Sequence, residues 1–188
     1  MNEEEAGRLV LSEGVPDRRL QIFSALLTSE SGLGIDGLTV VGGSAIEIYT
    51  GGAYVSGDVD YITTSREKVA TALRGWSFKD EGKWFSKKEW GLFVDVMQTT
   101  GTGSRRLTRV ITTRAGPFRI AAIEDLLIKR VREAVNWQHR EEAFDQAVLL
   151  ARYSDKVDWE YVRFYAKREG WLPQLSELQR AASLKGLR

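Results

Sequence analysis

The chain of 188 residues has no cysteine and a single histidine. Those scarcities exclude disulfides, thiolate zinc sites, cysteine nucleophiles and histidine clusters together. What remains for chemistry is carboxylates and hydroxyls, with a metal ion as their natural complement. Long hydrophobic runs are missing as well: no stretch approaches the roughly 20 apolar residues that cross a bilayer. The opening Met1-Asn2-Glu3-Glu4-Glu5 has neither the basic start nor the apolar core of a secretory signal. The expected setting is the cytoplasm, with no membrane association. Net charge is nearly absent, at +1 from 27 Lys and Arg against 26 Asp and Glu. That balance argues neither for nor against a polyanionic partner, because a total can hide local asymmetry. With 43% hydrophobic residues, the chain reads as one ordinary globular domain, or a small α/β core with a helical appendage.

One local asymmetry stands out. Arg105, Arg106, Arg109, Arg114 and Arg119 run through a segment without a single acid. If this is a hairpin, alternate residues face opposite ways, so the arginines need not share a face. The segment is either a solvated edge strand, on which charge discourages aggregation, or a surface for a polyphosphate or an RNA backbone.

The densest motif is Thr39-Val40-Val41-Gly42-Gly43-Ser44-Ala45, followed by Gly57-Asp58-Val59-Asp60-Tyr61-Ile62. It reads as strand, tight turn, helix, strand. Residues i and i+2 of a strand share a face, so Asp58 and Asp60 are expected to hold their carboxylates side by side. Adjacent carboxylates repel unless a cation lies between them, and hard divalent cations prefer oxygen ligands. Gly42 and Gly43 let backbone N–H groups approach an anion at the start of a helix, where the dipole also favours negative charge. Ser44 is either an N-cap or a further phosphate ligand. A carboxylate pair facing a phosphate cradle points to nucleotide chemistry.

Helical spacing of Leu20, Phe23, Leu26 and Leu27 predicts a helix over 18–29. A loop leads to a strand over 38–41, a short helix over 45–50 and a strand over 58–63. Ser65 caps a helix over 66–74. Runs at 76–79, 83–86 and 90–98 read as an antiparallel meander, and two more strands fall at 107–113 and 118–121. From Ile123 onward the pattern is helical, with candidates at 124–137, 141–153, 159–168 and 173–183. The expected fold class is therefore α/β (α+β), a mixed sheet flanked by helices over 1–121 followed by a helical bundle over 122–188. The six tryptophans include Trp76, Trp84 and Trp90 in the meander; their expected role is packing, with base stacking as the other role for Trp84 or Trp90.

Gly43-Ser44, a thirteen-residue spacer and Asp58-Val59-Asp60 together resemble the signature of the nucleotidyltransferase superfamily with the DNA polymerase β palm fold. The Gly-Gly-Ser-Ala opening is similar to that of AbiEii-like and related minimal nucleotidyltransferases, and the likeness spans about residues 35–150. It implies a third carboxylate on a neighbouring strand, which Asp95 in Leu92-Phe93-Val94-Asp95-Val96-Met97 matches; read alone, Asp95 either lines a site or faces solvent. It also implies that Asp58, Asp60 and Asp95 hold two Mg2+ ions, with Mn2+ as a substitute, and are catalytic. Gly42, Gly43, Ser44 and Lys129 would contact the NTP, with Asp145 supporting the lysine; on the residues alone, Lys129 and Asp145 are equally read as surface charges. The implied activity is transfer of a nucleoside monophosphate to an acceptor hydroxyl on RNA, including a tRNA 3′ end, or on protein. Several relatives are toxins with an antitoxin partner. Many relatives carry an arginine shortly before the first aspartate, where this chain has Tyr54-Val55-Ser56-Gly57. That departure keeps open a non-catalytic nucleotide-binding or protein-interaction module on the same fold.

Overall fold

The computed structural model describes residues 1–99, 108–136, 140–153 and 157–184. They fall into two compact units, Met1–Ala121 and Ala122–Arg188. The strands of the first unit are β1 (Leu38–Val41), β2 (Val59–Thr63), β3 (Lys79–Asp80), β4 (Trp84–Lys87), β5 (Leu92–Gln98), β6 (Thr108–Thr113) and β7 (Gly116–Ala121). They form one sheet in the order β3-β4-β5-β2-β1-β7-β6. β2 runs parallel to β5 and β1 parallel to β7, while the remaining neighbours are antiparallel.

Alternation explains which side of the sheet is covered. Leu38 and Val40, Val59 and Tyr61, Leu92, Val94 and Val96, Phe85, and Phe118 and Ile120 are all buried. The residues between them on β2 and β5, including Asp60 and Asp95, are only half-buried or exposed. The covered side packs on helices α2 (Pro16–Glu30), α3 (Gly42–Tyr49) and α4 (Arg66–Gly75), while α1 (Glu3–Leu11) lies against α2. α2 starts with Pro16 in its first turn, where a missing N–H costs nothing. It is buried on most of its circumference, so its polar residues must find partners. Ser24 does so by donating to the Leu20 carbonyl at 2.7 Å and sharing a 2.8 Å hydrogen bond with the Tyr61 hydroxyl. Burial drives that phenol far above its ordinary pKa, with the Ser24 bond opposing the shift.

The expected meander is corrected in two places, and the run at 76–79 is the first: Trp76 is the C-cap of α4 and only Lys79 enters β3. Trp90 does not open a strand: Lys88–Trp90 is a 3-10 turn and β5 starts at Leu92. The indole instead joins a cluster with Phe23, Trp76 and Phe78, at centroid distances of 6.5, 6.0 and 5.5 Å, which makes its role packing. α1 is a further element beyond those that the sequence pattern predicts. Its signature is a capping box, in which Asn2 accepts from the Glu5 N–H and Glu5 reaches back to the Asn2 N–H. The buried Lys87 ammonium ties α1 down, pairing with Glu3 and donating to the Trp76 carbonyl at 2.8 Å. Lys87, and then the Ser77 hydroxyl, hold the Glu3 carboxyl below its ordinary value.

The second unit consists of α5 (Ile123–Asn136), α6 (Arg140–Tyr153), α7 (Trp159–Glu169) and α8 (Leu172–Leu184). Ile123, Leu127, Val131, Leu150, Val162 and Leu178 are fully buried among them. Asp158 caps α7 by accepting from the Glu160 and Tyr161 N–H groups at 3.1 and 3.0 Å, while its own N–H is taken by Glu124 at 2.9 Å.

Candidate active site

The candidate site is a row of residues lying across four strands. Val41 pairs with Asp60, Asp60 with Asp95, and Asp95 with Trp84. Neighbouring strands are separated by about 4.8 Å, so Asp60 and Asp95 stand side by side on the same face of the sheet. Gly42, which follows Val41, closes one end of the row and Trp84 the other.

The turn at the head of α3 is shaped around Asp60. Gly42 has φ +63°, and a Cβ built on it would lie 2.0 Å from Asp60 Oδ2. Only glycine leaves that carboxylate oxygen where it is. The Gly43 N–H donates to the same oxygen at 3.2 Å, which places negative charge at the helix N-terminus. α3 therefore begins at Gly42 rather than at Ala45. Ser44 is buried; its hydroxyl donates to the Val41 carbonyl at 2.9 Å and accepts from the Asp60 N–H at 3.1 Å. Here it fastens the helix to β2 instead of presenting a phosphate ligand.

Asp58 departs from expectation. β2 begins at Val59, so Asp58 is an exposed residue of the preceding loop, accepting from Ser56 Oγ at 3.4 Å. It lines a cleft of about 140 Å³ with Arg19, Glu47, Ser56, Leu92 and Phe93. Arg19 is the residue that sequence reasoning passed over. Its Nε is buried without a hydrogen-bond partner among the described residues, yet in sequence it is one of two adjacent arginines near the start of an apolar helix. Among the described residues, no three histidine, cysteine, aspartate or glutamate side chains are gathered closely enough to hold a metal ion.

Glu47 adds a titrating group behind the cleft. It is buried and accepts from the Ser56 N–H at 2.6 Å. Burial raises its carboxyl pKa, partly offset by that hydrogen bond, with the nearby Asp17 charge adding to the rise. A raised folded-state pKa means stability that is complete below the ordinary 4.5 and lost as pH climbs through the folded value. Glu47→Gln, which preserves the acceptor for Ser56, should remove that loss. The difference between wild-type and variant thermal midpoints should thus favour the variant increasingly as pH rises above 4.5; a constant difference would mean the carboxyl is not perturbed.

The basic residues divide. Arg105 and Arg106 lie outside the described residues. Arg114 is committed to Glu13 at 2.8 Å and Ser12 at 2.6 Å, and Arg119 to Asp36 and Thr108, so these two tie loops together rather than forming an open polyanion surface. Lys129 belongs to the second unit, on α5, where it is exposed and 3.8 Å from Glu133; Asp145 is exposed on α6.

No family model and no curated protein matches this sequence. A solved structure does match: the crystal structure of an antigenic nucleotidyltransferase-like protein from Paracoccidioides brasiliensis. The likeness has a TM-score of 0.53 and 10% identity, and covers 89% of this chain and 94% of that one. The chain has a nucleotidyltransferase-like fold. At such identity the likeness is one of fold and does not reach the AbiEii-like subtype.

Proposed function

We propose that the protein transfers a nucleoside monophosphate from an NTP to an acceptor hydroxyl. The observation that carries this reading is the adjacency of Asp60 and Asp95 on parallel strands, with the glycine turn of α3 abutting Asp60. Hard oxygen donors side by side on one face suit Mg2+ or Mn2+, so the donor set fits such an ion. Asp60 and Asp95 are the residues that would hold it, while Asp58 stands apart in the loop ahead of β2. When bound, it supplies neutralisation of the triphosphate charge.

The remaining work belongs to the chain. The β- and γ-phosphates lie at the Asp60 end of the row, beside the head of α3, where the helix dipole favours anions although the Gly43 N–H is already given to Asp60. Gly43 keeps the Asp60 carboxylate turned toward the row. The acceptor oxygen attacks the α-phosphorus and forms a new P–O bond as its proton passes to the Asp95 carboxylate. The bond from the α-phosphorus to the bridging oxygen of the β-phosphate breaks, and pyrophosphate leaves with the electron pair. Catalysis is thus positioning and charge stabilisation, with no covalent enzyme intermediate.

Calorimetry with each NTP, with and without Mg2+, combined with transfer of label from α-phosphate-labelled NTP, tests the proposal. Asp95→Asn should preserve NTP affinity while lowering turnover by ~10²-fold, the contribution typical of a positioned base. An Asp95→Asn variant that lost affinity alone would reverse its assignment. A second reading, a non-catalytic nucleotide-binding module, is favoured by the separation of Asp58 from the other two acids. It predicts NTP binding without label transfer by the wild type.

A further inference from the structure

Trp84 is the end of the carboxylate row and takes no part in the function so far described. Three other tryptophans are nearly inaccessible, with Trp76 at 1%, Trp90 at 4% and Trp171 at 2% exposure. Trp84 is 47% exposed, and Phe93 and Met97, two residues either side of Asp95 on the same face, are 44% and 46% exposed. Along β5, Asp95 is therefore flanked by large apolar side chains that face solvent, with Asp60 beside it on β2. Strand-pair neighbours have Cβ atoms about 4.5–5.5 Å apart, so the indole stands directly beside Asp95. The Lys83 ammonium lies 6.0 Å from the Trp84 ring centroid. An exposed aromatic face with a cation beside it is the combination single-stranded nucleic acid uses, the ring for a base and the charge for a phosphate.

The order of the row decides which substrate meets Trp84. In an in-line displacement the nucleophile and the leaving group stand on opposite sides of the phosphorus. If pyrophosphate departs toward the turn of α3 beyond Asp60, the nucleophile enters over Asp95 from the Trp84 side. A group stacked on Trp84 then belongs to the acceptor, not to the donor NTP.

Building on the nucleotidyl-transfer reading, we infer that Trp84 is a positioning residue that stacks on the terminal base of the acceptor, and that the acceptor is the 3′ end of a single-stranded RNA. A protein hydroxyl brings no base to this surface. Phe93 extends the platform toward Asp58, with which it shares the cleft.

The test uses the full-length chain and a short fluorescein-labelled single-stranded RNA with a free 3′ hydroxyl, titrated without NTP. Trp84→Ala should weaken RNA binding about tenfold or more, and Trp84→Phe should recover most of it, because stacking needs a π face. Trp84→Leu should behave like the alanine variant. In turnover assays the alanine variant should raise KM for RNA and leave NTP affinity at the wild-type value. Equal thermal midpoints across the three variants exclude a folding effect. Unchanged RNA binding by Trp84→Ala, full recovery by Trp84→Leu, or label appearing on protein and never on RNA would each overturn the inference. Asp95→Asn separates the two proposals: it should still bind RNA through Trp84. RNA binding that depends on Trp84 in a protein lacking all NTP transfer would sink the transferase reading and leave the stacking surface standing.

Discussion

Asp60→Asn should leave the protein folded and abolish label transfer, lowering turnover by ~10³-fold or more. The change is nearly isosteric, and the amide oxygen of asparagine can still accept from the Gly43 N–H, which lies 3.2 Å from Asp60 Oδ2. Removing one of two facing negative charges also relieves repulsion across the Asp60–Asp95 pair, so thermal stability should be equal or slightly higher. What disappears is the charge that opposes the triphosphate through its cation. Purified variant and wild type, compared for unfolding midpoint and for label transfer in parallel, check both halves. A variant with wild-type turnover would remove Asp60 from the mechanism.

Gly42→Ala is expected to be nearly as severe, for a steric reason. The positive φ at this position costs an L residue ~1–3 kcal/mol. The added methyl would also lie 2.0 Å from Asp60 Oδ2 and 2.7 Å from its Cγ, so the carboxylate must swing away from the row. Activity should fall toward the level of Asp60→Asn, accompanied by a loss of stability measurable by urea unfolding. The clash and the backbone strain can be separated with a double-mutant cycle. In an Asp60→Ala background the alanine at position 42 should cost little beyond the backbone term, because Oδ2 and Cγ are gone and only Cβ, at 3.1 Å, remains close. Additive stability effects would mean that the turn and the carboxylate are not coupled.

Much of the architecture can be read from short-range pattern. β1 coincides with the apolar run before the glycines, and α4 begins where Ser65 offers its side chain to the Lys68 N–H. These signals are local, resting on alternation, capping and turn residues. Errors occurred where local pattern was ambiguous. Trp90 extends a β-like run of residues and was absorbed into it, although the chain makes a 3-10 turn there to bring the indole into the aromatic cluster. Asp58 continues the alternation of β2 by one step, but the strand begins at Val59 and the Asp58 carboxylate accepts from Ser56 Oγ in the preceding loop. α1 is hard to read because it is short and its buried face carries small residues, Ala6, Gly7 and Val10.

The site was legible in kind rather than in arrangement. The residue types at 58 and 60 point to cation chemistry and the resemblance adds Asp95, but the register that sets Asp60 opposite Asp95 joins strands far apart in sequence, with α4, β3 and β4 between them. Ser44 could be placed near Asp60, yet nothing in its neighbours reveals that both its hydrogen bonds are spent on backbone groups. Trp84 is the plainest case: an aromatic residue in a β-like run is usually a packing residue, and only the structure shows that Trp84 lies exposed in a strand beside Asp95 while Trp76 and Trp90 are buried outside strands.

The central claim is that the Asp60–Asp95 row catalyses nucleotidyl transfer, and one assay addresses it most directly. Full-length protein is incubated with Mg2+, α-phosphate-labelled NTP and single-stranded RNA, and pyrophosphate release is measured together with label incorporation. The account predicts one pyrophosphate released for each label transferred, with both signals lost in Asp60→Asn. Release of pyrophosphate at the same rate by wild type and Asp60→Asn, or no release by the wild type with any of the common NTPs and RNA or protein acceptors, would contradict it.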